Sequence, residues 1–258
     1  MSEGQVHLGL EGGIAAVVFD RPAARNAMNW AMYQQLGQIC DQLQADAGVR
    51  VVTFRGAGGQ AFVAGTDIEQ FTAFQSGDDG VAYEKQIDQC IHKLESLPMP
   101  TVAVVEGWAI GGGLAIATAC DFRMATPGSR FGVPIAKTLG NCLSVSNLAR
   151  LVAVWGLPRV KRMLMLADII GADEALECGF LLQLCEPDEI DTVRTALCER
   201  LAALAPVTQR VSKEGLRRLV SGSLPPDEDL IRLCYGSADF QEGVRAFVGK
   251  RSPAWKGA

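Results

Sequence analysis

Residues Val102 to Asp121 read VAVVEGWAIGGGLAIATACD: an apolar run of strand type, a turn, three consecutive glycines and a helix of small residues. A helix that opens this way presents main-chain N–H groups with no β-carbon to screen them. The first N–H groups of a helix lack internal partners and lie at the positive end of its dipole, so this mouth suits a phosphate or an oxyanion developing on a reacting carbonyl. Gly111, Gly112 and Gly113 equally suit a helix that must pack closely on a sheet, because glycine lets backbones approach. From this segment alone both readings stand.

Other chemistry is weaker. Gly56, Gly58 and Ala61 in VVTFRGAGGQA fit the dinucleotide pattern G-x-G-x-x-A, but that pattern must open a helix, and Phe62-Val63-Ala64-Gly65 follows instead. No G-K-[ST] phosphate loop is present. A serine triad needs a histidine beside its nucleophile, whereas the two histidines, His7 and His92, fall on a strand-like run and an amphipathic helix, and no G-x-S-x-G elbow exists. The eight cysteines are scattered without C-x-x-C or histidine partners, which reads as reduced packing residues rather than a metal site. Asp67, with Gln70 three residues on, reads as a helix cap closed by a capping box.

The elements that must position such a mouth follow from periodicity. His7 to Asp20 forms two strand-like runs around Gly12-Gly13, a hairpin signal, and Asn29 to Leu43 reads as a helix. A buried strand over Val49 to Phe54 follows, then an amphipathic helix over 81–96 closed by Pro98 and Pro100. Strand-like pieces recur at Phe122 to Ala125, near Phe131 and over Phe180 to Cys185. Helical pattern covers Val145 to Leu166, Ala172 to Cys178 and nearly everything from Asp188 on, broken by the turn-rich Ser221 to Pro226. Strands alternating with helices and then helices alone predict an α/β core with a helical tail, divided here as 1–195 and 196–258.

In composition, 258 residues with 48% hydrophobic and 21% charged suffice for a large core. A balance of 24 basic against 29 acidic residues, net charge -5, argues against nucleic acid as partner, since such binders need a basic footprint. The opening MSEGQVHLGLEGG carries no export signal pattern and no run reaches the roughly 18 apolar residues of a span, so a cytoplasmic protein without a membrane partner is expected.

Several segments together resemble the crotonase superfamily, also called the enoyl-CoA hydratase/isomerase family. VVFDRPAARNAM (Val17 to Met28) is similar to its R-P-x-x-x-N-A element and AFVAGTDI (Ala61 to Ile68) to A-F-x-A-G-A-D-[IL]. VEGWAIGGGLAIATACDFRMA matches its triple-glycine block, Ala172 to Pro187 its A-x-E-A-x-x-x-G-L-V segment, and SADFQEGVRAFVGKRSPAWKG its closing motif. The resemblance implies a ββα spiral core with a C-terminal helical region that builds trimers, paired into hexamers. It implies a coenzyme A thioester as substrate and no further cofactor. It implies that two main-chain N–H groups hold the thioester oxygen while an enolate-like charge develops, and carries these onto Ala64 and Gly112. The substrate-binding positions carried over with them are Arg25, Ala61, Thr66, Asp67, Ile68 and Lys256, with Lys250 and Arg251 nearby.

Two positions depart from the pattern. Family hydratases use two glutamates, and the matching residues here are Ala115 and Ile135. Neither can move a proton, yet syn addition of water needs a base and an acid within hydrogen-bond reach. The family's P-G-x-G-G-T stretch is replaced by GNCLSVSN, which with Lys137 and Thr138 supplies other polar groups, among them Asn141, Cys142 and Ser144. The resulting expectation is an acyl-CoA enzyme of hydratase/isomerase type whose proton transfer uses other groups. The alternatives are a thioester-binding protein with little turnover, or another reaction of the family such as thioester hydrolysis or decarboxylation.

Overall fold

Gly12 and Gly13 take φ of 56° and 80°, the signs a two-residue hairpin turn requires, and join strands β1 (Gln5–Glu11) and β2 (Ile14–Asp20) in antiparallel register. A computed structural model describes residues 4–220, 222 and 226–255 of the chain. The remaining strands are β3 (Val51–Gly56), β4 (Ala61–Val63), β5 (Thr101–Val105), β6 (Trp108–Ile110), β7 (Phe122–Ala125), β8 (Arg130–Gly132), β9 (Ile169–Gly171) and β10 (Gln183–Leu184). The helices are α1 (Trp30–Ala45), α2 (Gly77–Glu95), α3 (Gly112–Ala119), α4 (Ile135–Thr138), α5 (Val145–Trp155), α6 (Leu157–Met165), α7 (Ala172–Glu177), α8 (Ile190–Ala202), α9 (Pro206–Val220), α10 (Glu228–Tyr235) and α11 (Ala238–Val248). Two 3-10 turns, Pro22–Ala24 and Ile68–Ala73, complete the described elements.

Among the described residues the strands form two sheets, ordered β1-β2-β3-β5-β7-β10 and β4-β6-β8-β9. Consecutive pairs, β3 with β4, β5 with β6 and β7 with β8, each give one strand to each sheet, in the same order and in parallel. This is the ββα spiral that the motifs imply. The central strands are apolar on both faces because both are covered. Phe54, Ala103 and Val105 face the main core, while Val51, Val102, Val104 and Met124 pack with Ile190, Leu197, Cys198 and Leu201. Residue 195, where the sequence places the end of the core, thus lies inside a helix that closes the sheet's outer face.

The short strands β4, β6 and β9 escape a reading by periodicity, since three residues hold too few alternations to register. The long helical pattern from 145 to 166 is two helices, divided at Gly156 with φ of 72°. The tail is helical as expected; its 221–226 break lies largely outside the described residues. Helix α10 packs along α2, and α11 covers the Ile68–Ala73 turn.

Asn26 ties the early loop to this frame. Fully buried, with φ of 59°, it donates to the carbonyls of Ala57 (2.9 Å) and Ala61 (2.8 Å) and accepts the Arg21 N–H (2.9 Å). Asn26→Ala removes the side-chain partner of two buried main-chain groups, Arg21 N–H and Ala61 C=O, and of the half-buried Ala57 C=O. The expected loss is about 2–4 kcal/mol of unfolding free energy, measured as a lower urea midpoint; an unchanged midpoint contradicts this role.

Candidate active site

The loop after the first 3-10 turn and the loop after β4 run side by side. Arg25 caps the turn with φ of 51°, which aims its carbonyl at the Ala64 N–H (3.1 Å); Met28 N–H donates to Gly65 O (2.9 Å) and Asp67 N–H to Met28 O (2.8 Å). Along an extended chain, main-chain groups alternate sides. Gly65, with φ of 110°, breaks that alternation, a conformation open to glycine. Ala64 and Asp67 therefore both donate toward the Arg25–Met28 segment, and Thr66, bridged to Met28 in parallel, keeps its N–H on the other side. The Ala64 amide is thus not available to a ligand, which corrects the assignment carried over from the motif. Among the described residues the Thr66 N–H has no hydrogen-bond partner within the chain.

The three glycines opposite have three different reasons. Gly111 takes φ of 53° and donates to Gly132 O (3.0 Å), turning the chain into α3. At Gly113 an added β-carbon would collide with Val63 O, so this residue serves close packing of α3 on β4. At Gly112 it would lie 2.5 Å from Tyr33 Oη and 3.2 Å from Thr66 Oγ1. The two readings left open by the sequence therefore divide between neighbouring residues. Gly112 is the first residue of α3, and its N–H is likewise unpartnered among the described residues. Thr66 Oγ1 shares hydrogen bonds with Tyr33 Oη (2.8 Å) and Tyr83 Oη (2.9 Å), and burial pushes both phenols upward in pKa, so they stay protonated.

Thr66 and Gly112 line one cavity of about 520 Å3. Ala64, Asp67, Ile68, Ala115 and Ile135 line it too, and no carboxylate stands at 115 or 135. Arg25 and Lys250 are exposed at its edge. Ala61 does not reach the cavity; it is buried in β4, its carbonyl held by Asn26. Lys256 lies outside the described residues. Asp67 caps the following turn by accepting the Glu69 N–H (3.2 Å) and pairs with Arg21 at 2.7 Å, an almost buried ion pair. The expected capping box does not close: Gln70 Oε1 accepts the Trp30 N–H (2.8 Å) and its Nε2 donates to Met28 O and Asp67 O.

A carboxyl that the motifs do not mark reaches the same cavity. Glu84, on α2, is only 2% exposed, accepts the Tyr235 hydroxyl at 2.6 Å and the Ser144 N–H at 3.0 Å. Burial raises its pKa to about 7, against the pull of these two donors, with Asp88 and Asp227 adding to the rise. The signal was present in the sequence: Val81, Glu84, Ile87, Ile91 and Leu94 share the buried side of α2, and a charge on that stripe has a partner or a task. Tyr33 and Tyr83 were missed for a related reason, since aromatic residues at helical spacing look like core.

Thr138, Asn141, Leu143 and Asn147 line the wall where the family's glycine-rich stretch is replaced. Ser144 caps α5, donating its hydroxyl to Asp88 (2.9 Å) and accepting the Asn147 N–H (3.1 Å), and Lys137 is exposed. The Cys142 thiol is pushed up in pKa by its hydrogen bond with Cys234 and by burial, the opposite of what a nucleophilic thiolate needs. Neither histidine lines the cavity. Glu106 pairs with Arg55, while Asp121 accepts from Thr101 and Lys213. Among the described residues no cluster of three or more His, Cys, Asp or Glu side chains could hold a metal ion, and no helix is long and apolar enough to cross a membrane.

Residues 9–258 match the enoyl-CoA hydratase/isomerase family. The chain belongs to this family. A short-chain-enoyl-CoA hydratase of Clostridium acetobutylicum is 30% identical over 97% of each chain. An enoyl-CoA hydratase/carnithine racemase from Magnetospirillum magneticum is similar in structure, with TM-score 0.81, 32% identity and coverage of 100% of this chain and 97% of its own. Methylmalonyl-CoA decarboxylase in complex with 2-nitronate-propionyl-CoA superposes with TM-score 0.90 at 26% identity, covering 98% of this chain and 99% of its own. Within the family, the crotonase resemblance read from the motifs therefore extends to the whole spiral.

Burial of Glu84 links its titration to folding. The folded protein holds this proton up to about pH 7, whereas an unfolded glutamate releases it near 4.3. The resulting stabilisation, relative to a Glu84→Gln variant that does not titrate, is full below the unfolded value and is lost as pH rises through 7, by on the order of 3 kcal/mol. Urea unfolding of both proteins at pH 5 and 7.5 measures the change; a difference independent of pH contradicts it.

Proposed function

We propose that this chain is an acyl-CoA enzyme in which the Thr66 and Gly112 amides hold the thioester oxygen as it gains enolate charge. The observation that carries the reading is the pairing itself: two residues whose main-chain N–H groups have no partner among the described residues line one cavity, fixed by the Gly65 reversal and by the start of α3. Donors set in place before reaction each lower such a barrier by about 3–4 kcal/mol, judged by the cost of removing one. The names of the relatives, hydratases and a decarboxylase acting on CoA thioesters, are consistent with one device serving several reactions. Arg25 and Lys250 at the edge suit the phosphates of the carrier, and exposed apolar residues of α9 such as Val211 and Leu219 suit the trimer or hexamer that the motifs imply.

With Ala115 and Ile135 in place of carboxylates, ordinary hydration is disfavoured. Loss of CO2 from an α-carboxyacyl (malonyl-type) thioester is the second reading, because the bond to CO2 supplies the electron pair of the enolate with no base required; the 0.90 superposition on a decarboxylase favours it.

Acetoacetyl-CoA is expected to raise the melting temperature, by the equivalent of about 2.7 kcal/mol at a hundred times its Kd. Gly112→Ala, whose methyl would enter the space held by Tyr33 Oη and Thr66 Oγ1, should abolish that shift. Crotonyl-CoA hydration should run about 10²-fold or more below a family hydratase with both glutamates. Absence of any thermal shift contradicts the binding reading, and hydration within tenfold of such an enzyme contradicts the argument from 115 and 135.

A further inference from the structure

We infer that Glu84 is the group that carries protons to and from the α-carbon of the bound thioester, in place of the two carboxylates the chain lacks. The inference rests on the enolate reading above and names the residue that completes it. Its grounds are geometric. Glu84 lines the cavity that contains the Thr66 and Gly112 amides, on the helix that packs against α3. Neither ion pairing nor an exposed position accounts for it: it has no cationic partner among the described residues, and its bonds are to a neutral hydroxyl and a main-chain N–H.

The groups around it favour exchange of a single proton. From α10 come Tyr235, whose hydroxyl donates to Oε1, and Cys234; Asp227 stands just before that helix. From α2 itself come Tyr83 and Asp88, the latter held by Ser144 and by Arg150 at 3.4 Å. From the replaced loop come Ser144, Cys142 and Asn141, and Tyr33 faces it from α1. Asn141 gives its Nδ2 to Tyr235 Oη at 3.3 Å, and its Oδ1 is buried with no partner among the described residues. Burial, with Asp88 and Asp227 nearby, holds the carboxyl at about 7, where the acid and the base are both populated at neutral pH and proton transfer in either direction is efficient.

The step balances without a co-reactant. The carboxylate forms an O–H bond with the α-proton, the C–H pair moves into the carbon–carbon bond of the enolate, and the carbonyl pair moves to the oxygen held by the two amides. In reverse, protonated Glu84 returns the proton to carbon. If CO2 loss forms the enolate instead, the same protonated carboxyl quenches it.

The test is exchange of the α-hydrogens of butyryl-CoA with deuterium in D2O, followed by mass spectrometry, beside thermal shift with the same ligand. The wild-type protein should bind and exchange, with a rate that rises as pH passes through about 7. Glu84→Gln should keep the thermal shift and lose exchange by about 10²-fold or more. Tyr235→Phe removes a donor that favours the carboxylate, so the midpoint of its exchange profile should move upward, an effect that mere packing does not produce; this variant decides the matter if Glu84→Gln does not fold. Exchange by Glu84→Gln at the wild-type rate, a wild-type protein that binds without exchanging, or a Tyr235→Phe midpoint that stays in place each overturn the assignment. No thermal shift in the wild-type protein overturns the thioester reading itself, and the assignment with it.

Discussion

One reversed peptide governs the site. Because Gly65 takes φ of 110°, the amides of Ala64 and Asp67 both close onto the Arg25–Met28 segment and the amide between them at Thr66 does not. An L side chain at 65 resists that conformation, and regular alternation would turn Thr66 back into the ladder. The arrangement is held from several sides: Asn26 pins both loops, Asp67 pairs with Arg21, and Gln70 ties the turn to α1. A donor needs to be rigid before charge develops, since reorientation during reaction would cancel much of its benefit.

The spiral makes the opposite wall equally rigid. β4 and β6 pair in parallel and deliver the two loops to one edge of the four-stranded sheet, and α3 presses on β4 where Gly113 lacks a side chain. Gly112 then begins the helix beside Thr66. Main-chain N–H groups keep their places when side chains facing a cavity change, which lets one scaffold carry different side-chain chemistry. Positions 115 and 135 are apolar here, and Thr66, Gly112 and, from α2, Glu84 line the same cavity.

Much of this was legible in the sequence. The hairpin at Gly12-Gly13, the helix that opens at Asn29, the buried run of β5 and the glycine mouth follow from turn chemistry and periodicity, and the ordered motifs imply the spiral. What was not legible depends on direction rather than residue type. Ala64 and Thr66 sit two apart in one motif, and only the φ of Gly65 decides which amide is free. Glu84 joins the site through a tertiary contact between α2, α10 and the 139–144 loop, and no spacing within α2 reports which buried neighbours it meets. Three-residue strands are set by the sheet that receives them.

The central claim concerns what the Thr66 and Gly112 N–H groups do to a bound carbonyl. Isotope-edited infrared difference spectroscopy of a thioester labelled with 13C at its carbonyl reads this directly in the complex. Two fixed donors should weaken the carbon–oxygen bond and move the stretch to lower wavenumber than in water. A bound carbonyl that absorbs at or above its frequency in water would contradict the account.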